Sequence, residues 1–85
     1  MKHSAQLDLH GVSHEDSEDI IEKFITDNLD NLPVSIITGD SQYFRDKVQI
    51  VSNRYALGCY QTDPHNFGLL SIFSSRWKEL DKSLN

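Results

Sequence analysis

Leu7-Asp8-Leu9-His10-Gly11 alternates apolar and polar residues, ends in a glycine, and runs straight into Val12-Ser13-His14-Glu15-Asp16, an acid-rich helix start. Successive side chains of a strand point to opposite faces. Leu7 and Leu9 are therefore expected in a core, with Asp8 and His10 sharing the other face. The strand must stop at Gly11, which leaves a carboxylate and an imidazole near its carboxyl end. Open α/β sheets place ligands and chemistry at such ends.

Working outward, the first strand is expected over 6–9. Ser13 suits a helix N-cap, with Asp16 three residues on as a short-armed capping-box partner. Ile20, Ile21, Phe24, Ile25, Leu29 and Leu32 recur at helical spacing. Pro33 disfavours a helical Leu32 and is expected to end the helix there. Val34-Ser35-Ile36-Ile37 is short, β-branched and bounded by Pro33 and Gly39, so it reads as a second strand. Ser41 or Asp40 caps a second helix with Phe44, Val48, Val51 and Tyr55 on its buried stripe, and Gly58 suits its stop. Cys59-Tyr60-Gln61-Thr62 reads as a third strand, Asp63-Pro64-His65-Asn66 as a turn, and 69–73 as a largely buried fourth strand. Ser74 or Ser75 then caps a short terminal helix over 76–84, whose Trp77 and Leu80 are expected to dock on the body.

The order is β-α-β-α-β-β. Helical connections imply parallel pairing with right-handed crossovers, and the short turn at Pro64 implies that the last strand runs antiparallel to the third. The expected fold is a two-layer α/β sandwich with a four-stranded mixed sheet. One domain spans 1–85, with a core over about 6–73 and a helical tail over 74–85.

This arrangement resembles the Smr (small MutS-related) domain family. The resemblance rests on the L-D-x-H-G strand end of Leu7 to Gly11, on Ile36-Ile37-Thr38-Gly39-Asp40-Ser41 with Arg45 in the next helix, and on Asn66-Phe67-Gly68 before the last strand. It implies nucleic-acid binding, and nicking or cleavage of RNA or DNA by an endonuclease (hydrolase) chemistry. Asp8 and His10 would be the catalytic pair. Gly11, Thr38, Gly39, Ser41, Arg45 and Asn66 would meet nucleic acid or its phosphates. Many family members carry a second glycine after the T-G or H-G pair; here Asp40 and Ser41 follow, and an acid in that loop repels phosphate.

The residue chemistry stands beside the resemblance. A histidine can exchange a proton near neutral pH, and a neighbouring carboxylate can orient it, as general acid/base attack on a phosphodiester requires. The same Asp8 could instead accept backbone hydrogen bonds in the Gly11 turn. Gly39 lets a ligand approach the backbone, helix-start N–H groups suit a phosphate, and Arg45 could pair with one bidentately. A capped turn with a surface arginine is the alternative. Tyr43 suits either base stacking or a partly buried helix-start role. Cys59 reads as a small buried residue. His14 could approach His10 and Asp8, but the spacing matches no zinc pattern, so no metal or other cofactor is expected.

The formal net charge is −5, which argues against broad charge-driven binding to nucleic acid. Residues 1–40 hold nine acids and two bases; residues 41–85 hold four acids and six bases. Nucleic acid would therefore meet Arg45, Lys47, Arg54 and the Arg76/Lys78 end, weakly and in a salt-sensitive manner. The acidic first helix, or the terminal one, alternatively suits docking on a basic protein partner in a non-catalytic interaction module. No apolar run approaches the roughly 20 residues of a membrane span. One cysteine excludes an internal disulfide, and the start lacks the apolar stretch of a signal peptide. A cytoplasmic protein with no membrane association is expected.

Overall fold

The structure, a computed structural model, describes residues 5–74. It has strands β1 (Gln6–Asp8), β2 (Val34–Ile37), β3 (Gly58–Tyr60) and β4 (Leu69–Phe73), and helices α1 (His14–Asp27) and α2 (Gln42–Arg54). The sheet order is β1-β2-β4-β3. β1 pairs with β2 in parallel, while β4 runs antiparallel to both β2 and β3. Both helical connections step across the sheet in the same direction. Right-handed crossovers therefore lay both helices on one face, which yields the expected two-layer α/β architecture with a mixed sheet. The terminal helix expected over 76–84, with Trp77, Leu80, Arg76 and Lys78, lies outside the described residues.

Register sorts the strand residues. Leu7 pairs with Ile36, and Ile36 with Leu70; Val34 pairs with Ile72, and Ile72 with Cys59. These point to the helical layer, where Leu9, Ile36, Val34 and Ile72 are fully enclosed. Ile21 and Ile25 from α1, with Val48 and Val51 from α2, fill the space opposite. Gln6, Asp8, Ser35, Ile37, Leu69 and Ser71 occupy the other sheet face.

Both serine caps form. Ser13 Oγ accepts from the Asp16 N–H at 3.2 Å, and Ser41 Oγ from the Phe44 N–H at 3.1 Å. Four expectations at element ends are corrected, the last of them, the end of β1, at the site described below. α1 stops at Asp27 rather than Leu32, because Asn28 Nδ2 donates to the Phe24 carbonyl at 2.8 Å and so competes with the next helical turn. A 3-10 turn, Leu29–Asn31, follows, and Leu29 is left 43% exposed instead of joining the stripe. Phe24 is only partly buried; the centre of the stripe is Ser17, Ile21 and Ile25.

At the end of α2 the left-handed residue is Ala56 (φ 56°), not Gly58. The Leu57 N–H donates to the Ser52 carbonyl and the Ala56 N–H to the Asn53 carbonyl, at 3.0 and 3.1 Å. That is the Schellman closure, which most chains build with glycine. β3 consequently starts at Gly58 and ends at Tyr60, not over 59–62. The turn over 63–66 is present: the Asn66 N–H donates to the Asp63 carbonyl at 3.1 Å, and the His65 N–H to Asp63 Oδ1 at 2.9 Å.

Candidate functional site

Parallel strands bring their carboxyl ends to one edge, and the segments leaving β1 and β2 meet there. Between them lies an open cleft of about 400 Å³. Asp8, His10 and Gly11 line one side; Thr38, Gly39 and Ser41 line the other. Six of the eight residues expected at the site are thereby brought together.

The β1 side is a turn rather than a continuing strand. The Leu9 N–H still donates to the Ile37 carbonyl at 3.0 Å, but the Val12 N–H returns to the Leu9 carbonyl at 3.0 Å, with Gly11 at φ 81°. That angle at the third residue is what a type II turn demands. His10 therefore follows the regular strand, which ends at Asp8 instead of Leu9. Asp8 Oδ1 accepts the backbone N–H of His10 at 2.9 Å. The carboxylate thus anchors the segment that carries the imidazole, while both residues stay exposed and face the cleft.

The β2 side is clasped from a third segment. The Thr38 and Gly39 N–H groups donate to the Gly68 carbonyl at 2.7 and 3.3 Å. A Cβ on Gly68 would stand 2.9 Å from Gly39 Cα and 3.0 Å from its N and O, so only glycine fits this crossing. Asn66 Oδ1 accepts the Gly68 N–H at 3.0 Å and shapes that approach. Asn66 accordingly does not line the cleft and acts on it through Gly68. Arg45 is also absent from the lining: its guanidinium donates to the Gly39 carbonyl at 3.3 Å and to Gln42 Oε1 at 3.0 Å. It braces the Gly39 turn and stands outside the lining. Asp40 and Phe44 join the lining, with Leu9 and Ile37 beneath.

No family model, curated protein or solved structure matches this chain.

The chain's own electrostatics narrow what the cleft can do. Residues 5–74 hold eleven acids and four bases, and each base already has a partner. Lys47 bonds Glu18 at 3.1 Å; Arg54 bonds Glu18 at 3.0 Å and Glu22 at 2.8 Å; Lys23 bonds Asp27 at 3.0 Å. Lys47 and Arg54, expected to meet nucleic acid, tie α1 to α2. The hydrogen bond from Lys47, then that from Arg54, holds the Glu18 carboxyl below its ordinary value. Hydrogen bonds to Glu22 and Glu18 raise Arg54 in turn.

Two further features were illegible in the sequence. The His14 ring stacks on Tyr43, centroids 3.9 Å apart and planes 7° from parallel, and the Tyr43 hydroxyl donates to the His14 carbonyl at 3.2 Å. Lys47 Nζ sits 5.4 Å from the Tyr43 ring centre. This draws His14 onto α2, so it does not join Asp8 and His10. Among the described residues no group of three His, Cys, Asp or Glu side chains is placed to hold a metal ion. Cys59, expected to be buried, is only partly so and packs against the core; burial pushes its thiol up, and the Ser52 hydroxyl pulls the other way without reaching full hydrogen-bond geometry.

Proposed function

We propose that this chain is a nucleic-acid-binding domain of the Smr-like kind, seating one phosphodiester in the cleft between the Gly11 and Gly39 turns. The observation that carries this reading is the convergence of Asp8, His10, Gly39 and Ser41 on one strand-end cleft. Gly39, at φ 62°, lets backbone approach a ligand closely. The first turn of α2 leaves N–H groups without intrahelical partners, which suits an anion. His10 brings into the lining an imidazole, the side chain most often used as general acid or base, and Asp8 fixes the backbone that presents it.

The test is binding and cleavage of labelled RNA and DNA, single-stranded, duplex and branched, at low salt. The informative variant is His10→Ala, because the His10 side chain is exposed, whereas Asp8 holds the turn. Wild type should bind, and any cleavage should fall about 10²–10⁴-fold in His10→Ala with an unchanged melting temperature. Absence of binding to every substrate would defeat the proposal. A second reading, a protein-interaction module, is favoured by one observation: all four described bases are engaged while Glu15, Asp16 and Asp19 stand exposed on α1. Capture of a basic peptide, lost on Asp16→Asn/Asp19→Asn, would favour it.

A further inference from the structure

Phe67 is 64% exposed, more than any other large apolar side chain among the described residues. A lone exposed apolar residue is ordinary, but this one is mounted on an ordered loop beside the cleft. The Asp63–Asn66 turn precedes it. The Leu69 N–H donates to the Asn66 carbonyl at 3.4 Å, and Gly68 is held both by Asn66 Oδ1 and by the Thr38 and Gly39 N–H groups. Phe67 is thus one residue from the Gly68 backbone that packs on Gly39. Consecutive Cα atoms lie 3.8 Å apart, so Phe67 is fixed at the flank of the site.

The sheet supplies the connection. Asp8 pairs with Ile37 and Ile37 with Leu69 on the sheet face away from the helices. Ile37 lines the cleft, and Leu69 continues that row to the strand that Phe67 leads into. The apolar pair Ile37 and Leu69 therefore joins the cleft to the strand that Phe67 precedes by two residues.

Building on the nucleic-acid reading above, we infer that Phe67 stacks on an unpaired base of a single-stranded nucleic acid whose backbone lies in the cleft. Charge argues for the single strand. All four described bases are engaged within the domain, so it is poorly matched to the dense phosphates of a duplex. A duplex also keeps its base faces stacked on one another, whereas unpaired bases offer theirs to aromatic side chains. Stacking tolerates any base sequence. It is also insensitive to salt, so affinity that comes from Phe67 should have a shallower salt dependence than phosphate contacts would impose.

The experiment is fluorescence anisotropy with labelled single-stranded RNA and DNA oligonucleotides and the corresponding duplexes, using wild type, Phe67→Ala and Phe67→Tyr. Phe67→Ala should weaken single-strand binding about 5- to 100-fold, by the same factor at low and moderate salt, with the melting temperature unchanged. Phe67→Tyr should restore it. Wild-type binding that survives Phe67→Ala unchanged would overturn this inference and leave the proposed function standing. Preference for the duplex would also overturn it. If wild type binds neither strand nor duplex, both readings fall, and Phe67 becomes a candidate protein contact.

Discussion

Between the two helices, opposite charges are matched across the chain; at the strand-end edge they are not. Glu18 and Glu22 on α1 meet Lys47 and Arg54 on α2, residues 29 and 32 positions apart in sequence. At the edge, Asp8, His10 and Asp40 gather with no ion pair among the described residues. A helix–helix seam gains from neutralising its charges, whereas a site must leave groups available. The chain's net charge cannot reveal this, because pairing decides which charges remain to meet a ligand.

The comparison can be broken most directly from the helical side. Ile25→Ala removes a fully enclosed side chain beneath α1 and should cost about 2–5 kcal/mol in a denaturant titration. A loss well under 1 kcal/mol would mean that α1 is not anchored as described. At the edge, Gly68→Ala forces a methyl against the Gly39 backbone, and overpacking of this kind costs about 1–3 kcal/mol. Its amide chemical-shift changes should concentrate at Thr38, Gly39 and the facing His10 turn. Equal changes along α1 would show that seam and edge are one unit.

The far end of α2 offers a third contrast. Ala56→Gly relieves a left-handed alanine and should raise stability by up to about 1 kcal/mol, with no change at the cleft. The smallest effect is the acid titration of the seam. Glu18 is held below its ordinary value, so its contribution is fully present above the unfolded glutamate pKa, about 4.3. It is lost as pH falls through the lower folded one. Wild type and Glu18→Gln should therefore converge in stability below about pH 4. Curves that stay parallel there would remove Glu18 from the seam.

What could be read in the sequence follows from how local each signal is. Ser13 and Ser41 cap their helices because a hydroxyl before an N-terminus needs only the next three residues. β2 is bounded by Pro33 and Gly39 for equally local reasons. The end of α1 is hidden in the sequence because Leu29 and Leu32 keep helical spacing while Asn28, a single side chain, closes the helix. Gly58 attracted the role that Ala56 performs, since glycine is the commoner left-handed residue and only the hydrogen bonds to Ser52 and Asn53 reveal the closure. That Asp8, His10, Gly39 and Ser41 share one edge is legible because each follows a strand end, and parallel strands end together. The bracing roles of Arg45 and Asn66, the Gly68 crossing and the His14–Tyr43 stack depend on segments brought together by folding, so no spacing announces them.

The outermost strands, β1 and β3, are three residues each and flank the longer pair. A sheet edge that short offers an incoming chain little backbone to zip onto. Self-association by strand addition is thus disfavoured, and a second polypeptide would have to engage side chains on the faces of the domain rather than extend its sheet.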